Sequence, residues 1–140
     1  SRALPVGAAP WGPDVRGPAG DARLTSAGER ACDQVIHAVG PNFHHWLDDP
    51  TSGYAALESA YEAALARATE RGVRTVAFCI LSGGIFRGDE PLSKIISFGV
   101  DMIAKHATRA LERIYFCAFT PAEQRALELK LEALELFGFV

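Results

Sequence analysis

The sequence predicts an α/β fold, a three-layer α/β/α sandwich around a mixed, largely parallel central sheet. Two observations carry that reading. Short β-branched runs alternate along the chain with stretches of helical period, and Gly, Pro and Asn fall between these segments. With 140 residues, 49% apolar and 22% charged, the chain suits one domain around one core.

Residues 1–20 hold four Pro and four Gly and read as an extended lead-in, with the domain proper at 21–140. A short strand is expected at Ala22 to Thr25. Gln34 to Val39 reads as a buried strand closed by Gly40-Pro41-Asn42, with a loop running on to Gly53. Tyr54, Leu57, Tyr61, Leu65 and Ala68 recur at spacings of three and four and predict a helix over 54–71, capped by Thr51 or Ser52 and stopped at Gly72. Strand Thr75 to Ile80 follows, completing a βαβ crossover. Leu92, Ile95, Ile96, Gly99 and Ile103 mark a helix over 91–107, and Arg113 to Phe119 a further strand. Thr120-Pro121-Ala122-Glu123 is a capping box with Pro at the first helical position, opening a last helix over 121–136. The strands at 34–39, 75–80 and 113–119 are expected to pair in one sheet.

Composition narrows the function classes. No apolar run approaches the ~20 residues of a membrane span, and residues 1–20 lack the apolar core of a signal peptide, so cytosol or nucleus is expected. Cys32, Cys79 and Cys117 are an odd set; Cys79 and Cys117 lie in apolar strands and are expected to pack there as small hydrophobes, without a disulfide framework. A formal charge of −3 and the lack of an aromatic-basic stripe weigh against nucleic acid. His44 and His45 are adjacent and point apart, no Cys or His stands at zinc-like spacing, and no metal or cofactor is expected. His37 reads as a hydrogen-bonded sheet histidine, and Arg87 as a side chain in water.

The loop Ser82-Gly83-Gly84-Ile85-Phe86-Arg87-Gly88 stands between a strand and a helix, and its three glycines allow the backbone to approach a ligand and turn N–H groups toward it. A phosphate-bearing, nucleotide-like ligand suits such a loop, since the carboxyl end of a parallel strand is where open α/β sheets bind.

Val35-Ile36-His37-Ala38-Val39-Gly40-Pro41-Asn42-Phe43 and Leu81-Ser82-Gly83-Gly84-Ile85-Phe86 together resemble the macrodomain family, with Gly20 to Thr25 before them and Tyr115 to Phe119 after them in the family's order. The viral type looks closest at the Gly40-Pro41-Asn42 turn. The resemblance implies binding of ADP-ribose, free or attached to protein. Ser82, Gly83, Gly84, Ile85 and Phe86 would wrap the diphosphate and distal ribose, with Ile85 and Phe86 as walls, and Ala118 and Phe119 would line the adenine site. Gly83, where the family has a small side chain, and Arg87 depart from the pattern.

The family's first strands, its Asn-containing turn and its first glycine-rich loop are not found in this sequence, so the domain reads as incomplete at its N-terminus or as closing its sheet by another route. Those segments carry the catalytic geometry of hydrolytic members. Binding is therefore the expected function, with mono-ADP-ribosyl-protein hydrolase, or an RNA or poly(ADP-ribose) module, as the alternatives.

Overall fold

The structure is a computed structural model and describes residues 17–136; residues 1–16 of the expected lead-in lie outside it. Residues 17–20 turn into the first strand, where Gly20 takes a positive φ of 92° and its N–H donates to the Val39 carbonyl at 2.7 Å. Strand β1 (Ala22–Ser26) then pairs antiparallel with β2 (Gln34–Ala38), with Ala22 opposite Ala38 and Ser26 opposite Gln34.

Helix α1 (Pro50–Glu70) starts four residues earlier than its apolar period predicts. Asp49 is the cap: its carboxylate accepts from the Ser52 N–H at 3.3 Å and the Ser52 hydroxyl at 2.5 Å, and Pro50 occupies the first turn, where no N–H is needed. These two bonds hold the Asp49 carboxyl below its ordinary range. Gly72, at φ 66°, makes the expected left-handed stop.

Strand β3 (Thr75–Cys79) pairs in parallel with β4 (Arg113–Cys117), and α2 (Leu92–His106) connects them. Helix α3 (Pro121–Leu136) opens on the predicted capping box. The Thr120 hydroxyl accepts from the Glu123 N–H at 3.2 Å, and the Glu123 carboxylate accepts from the Thr120 N–H at 2.7 Å.

The core lies between the strands and α1 and α2. Leu57, Tyr61, Leu65, Ile95, Ile96 and Phe43 are at most 1% exposed, and Phe78 and Leu127 close the cluster. Tyr61 stacks near Phe78 and Phe116, at 5.7 and 6.4 Å between ring centroids, so α1 covers the face of β3 and β4 that carries these rings. Gly99 on α2 lets the Tyr61 hydroxyl approach; a β-carbon there would stand 2.6 Å from it.

Two expectations are corrected. The strands do not form one ladder: among the described residues β1–β2 and β3–β4 are separate two-stranded sheets, and β2 is not hydrogen-bonded to β3. A helical crossover joins strands without requiring them to be neighbours, so the βαβ period establishes the elements and not their adjacency. Cys79 and Cys117 are exposed rather than core residues. Alternation turns Phe78 and Phe116 toward the helices, and the opposite face, with Ala77, Cys79, Tyr115 and Cys117, is exposed among the described residues.

Candidate functional site

Parallel pairing of β3 and β4 brings the segments after both strands to the same end of the sheet, because Cys79 stands opposite Cys117 and both chains leave in the same direction. From β3 the chain enters a turn in which the Gly83 N–H reaches the Ile80 carbonyl at 3.4 Å, and a short 3₁₀ turn at Ile85–Arg87 follows. Gly83 is fixed by packing. It is buried against Ile80, whose side chain a β-carbon at 83 would strike, which accounts for glycine at this point of departure from the family pattern.

The loop is fastened to the turn after β2 at three points. Ser82 adopts a positive φ of 55°, a strained region for a side chain, and its hydroxyl donates to the Pro41 carbonyl at 2.6 Å. Gly40 makes room for this contact, since a β-carbon there would lie 2.5 Å from Ser82 Oγ. Farther along, His44 Nε2 is 3.1 Å from the Ile85 carbonyl and donates to it. At the far end Gly88, with φ 61°, lies against the Phe43 backbone, where a β-carbon would stand 2.9 Å from its carbonyl carbon. One further bond ties the loop to the core: the Leu81 N–H donates to the Tyr61 hydroxyl at 3.2 Å.

This fastening leaves donors free. Among the described residues the N–H groups of Gly84, Ile85 and Phe86 donate to no protein acceptor, as expected for the first turn of a 3₁₀ segment. Three neutral donors at one loop suit an anion, and they supply their dipoles without a basic side chain. The predicted site residues stand as follows. Ser82 to Phe86 form this loop, with Ile85 88% and Phe86 48% exposed. Ala118 and Phe119 follow β4 at the same sheet end, Phe119 is 95% exposed, and its ring meets no other aromatic ring among the described residues.

Other candidates are placed by their partners. Arg87 is half-buried and donates to the Glu90 carbonyl at 3.1 Å, which corrects its expected place in water. His37 Nε2 is 2.9 Å from Thr25 Oγ1 within the β1–β2 ladder. His44 and Glu123 are the residues that sequence reasoning missed. Glu123 was legible as a cap, yet its carboxylate also accepts from the Phe119 N–H at 3.2 Å and so fixes the segment after β4. His44 carried no usable signal, because its partner Ile85 lies 41 residues away.

Comparison with known proteins identifies the family and the fold. The sequence profile of the Macro domain family matches residues 14–96. The chain is 36% identical over 115 residues to O-acetyl-ADP-ribose deacetylase 1 of Pantoea vagans, covering 80% of this chain and 63% of that protein. It is 39% identical over 70 residues to a protein-ADP-ribose hydrolase of Treponema medium, covering 50% of this chain and 26% of that one. The solved structure of the Oceanobacillus iheyensis macrodomain with ADP superposes with a TM-score of 0.75 at 20% identity, covering 86% of this chain and 61% of that chain. This chain therefore spans somewhat under two thirds of the length of the Pantoea protein and of the Oceanobacillus chain, and about a quarter of the Treponema protein. The α/β sandwich is that of the solved macrodomains, and the chain belongs to the Macro domain family.

Proposed function

We propose that this chain binds ADP-ribose, free or attached to protein, through the loop from Ser82 to Phe86. The observation that carries the proposal is the run of three undonated amides at Gly84, Ile85 and Phe86, held at the carboxyl end of β3 by the Ser82, His44 and Gly88 contacts. In this reading the amides take the diphosphate, Ile85 and Phe86 wall the distal ribose, and Ala118 and Phe119 take the adenine. Family membership and the names of the Pantoea and Treponema relatives support the ligand class.

Those same names favour a second reading, removal of an ADP-ribose-linked group by hydrolysis. Binding is placed first because the loop supplies an anion cradle from backbone amides, while His37 is engaged in the other ladder and His44 on the Ile85 carbonyl. We place the protein in the cytosol or nucleus, a reading supported by its three free thiols.

Titration calorimetry against ADP-ribose and AMP tests the binding reading. ADP-ribose is expected to bind more tightly, since AMP lacks the second phosphate and the distal ribose that the loop addresses. Equal affinities would remove the loop from the site. Incubation with a mono-ADP-ribosylated protein, read by mass spectrometry, tests the second reading.

A further inference from the structure

The contact that fastens His44 to the loop also settles which end of a peptide dipole a ligand meets. Two consecutive peptides deliver the Ile85 and Phe86 amides, and each is held by its carbonyl. The Gly84 carbonyl accepts locally, from the Arg87 N–H at 3.1 Å. The Ile85 carbonyl is held from 41 residues away, by His44 Nε2 at 3.1 Å. A carbonyl has no proton to give, so the ring nitrogen carries the hydrogen. The peptide joining Ile85 to Phe86 is planar and trans, which sets its C=O and N–H in opposite directions. Fixing the carbonyl on His44 therefore aims the Phe86 N–H away from His44, and that N–H is one of the three without a protein acceptor among the described residues. The Ile85 side chain, 88% exposed, gives the peptide little packing to hold it. Turned over, the same peptide would set a carbonyl oxygen before an anion in place of an N–H.

His44 is itself firmly mounted. It lies in a 3₁₀ turn, Phe43–His45, capped by Asn42, whose side-chain oxygen accepts from the His44 N–H at 3.1 Å. The His45 and Trp46 N–H groups close the turn on the Asn42 and Phe43 carbonyls at 2.9 and 3.0 Å, and Phe43, 1% exposed, sinks it into the core. Gly88 keeps turn and loop in close approach, since a β-carbon there would stand 3.1 Å from the His44 nitrogen. From this mounting we infer that His44 is a positioning residue that fixes the polarity of the Ile85–Phe86 peptide, so that an N–H and not a carbonyl faces the diphosphate; the inference rests on ADP-ribose binding by the loop.

Titration calorimetry with ADP-ribose and AMP on the wild type, His44→Ala and His44→Gln tests this, with circular dichroism as the check on folding. The wild type is expected to prefer ADP-ribose. Loss of one amide contact to a charged group should cost His44→Ala roughly ten- to a hundredfold in ADP-ribose affinity. Its AMP affinity should fall much less, because AMP lacks the second phosphate and distal ribose that the loop addresses. A side chain that only stabilised the fold would lower both alike. Glutamine offers an amide donor at nearly the reach of histidine Nε2, so His44→Gln should bind within about threefold of the wild type. Long-range proton–nitrogen NMR of the free protein in mildly alkaline buffer should find the neutral His44 ring protonated at Nε2. A wild type without preference for ADP-ribose overturns the binding reading and this inference with it. Where that preference holds, the inference alone is overturned if His44→Ala binds ADP-ribose like the wild type, if its two affinities fall equally, if His44→Gln binds no better than His44→Ala, or if the neutral ring carries its proton on Nδ1.

Discussion

At Gly84 a β-carbon would meet nothing within 4 Å, so a side chain there disturbs the ligand before it disturbs the protein. Gly84→Glu places bulk and negative charge in front of the loop amides. Losing even two amide contacts to a charged group, at ~1.5–3 kcal/mol each, lowers ADP-ribose affinity by about two orders of magnitude or more. Phe119→Ala should cost less, because it removes apolar contact from the base and leaves the phosphate cradle whole. Calorimetry on both variants, with circular dichroism as the check on folding, decides the matter; parental binding by folded Gly84→Glu would end the phosphate-loop assignment. At this scale the loop was legible because its three glycines fall within seven residues between a strand and a helix. Cys79 was misread because an apolar run of five residues does not say which of its faces a helix will cover. His44 was unreadable because its role depends on a contact made by folding.

Elements were the most legible scale, and the reason is chemical. The α3 capping box and the Gly72 stop are settled within four residues of chain, so sequence contains all the partners. The start of α1 was misplaced because Asp49 caps ahead of the apolar period, on a first turn that buries little. Contacts between elements obey another logic. Glu58 on α1 accepts from Lys105 Nζ at 2.6 Å and lies 2.9 Å from His106 Nε2, both at the end of α2. Hydrogen bonds from Lys105 and then from His106 hold the Glu58 carboxyl below its ordinary 4.5, and the bond to Glu58 raises Lys105 above its ordinary 10.5. The depressed acid contributes stability above about 4.5 that is lost as pH falls through its folded value. The raised base contributes stability below about 10.5 that is lost as pH rises through its folded value. Glu58→Gln should therefore unfold earlier in urea than the wild type between those limits, and the gap should narrow at acidic and alkaline ends. Because Lys105 is 59% exposed, the effect is small and should shrink further in salt. A gap that stays constant across pH would show that Glu58 and Lys105 are not coupled.

For the whole molecule the question is what joins two ladders that share no hydrogen bond. The sequence could not answer it, since strand adjacency is a non-local property and β2 and β3 are consecutive only along the chain. The structure answers with α1, which packs on β1 and β2 and sends Tyr61 against Phe78 of β3 and Phe116 of β4. Tyr61 is fully buried, and its hydroxyl accepts the Leu81 N–H just ahead of the glycine-rich loop, so one side chain connects helix, second ladder and site. Tyr61→Phe keeps the ring and removes that acceptor, leaving a half-buried amide unpaired at a cost of ~1–3 kcal/mol near neutral pH. Burial also pushes the hydroxyl well above its ordinary 10.0, with the Leu81 N–H opposing the shift. The folded chain then keeps a proton that the unfolded chain gives up, so this residue's contribution is whole below pH 10 and falls as pH rises from there toward the raised folded value. The loss approaches ~1.4 kcal/mol for each pH unit. Phenylalanine has no proton to lose. Urea unfolding at pH 7 and at pH 11 should thus find Tyr61→Phe less stable than the wild type at the first and closer to it, or ahead, at the second. A deficit that stays equal at both pH values would mean that the Tyr61 hydroxyl is not shielded from water, and the joint between the ladders would have to be sought elsewhere.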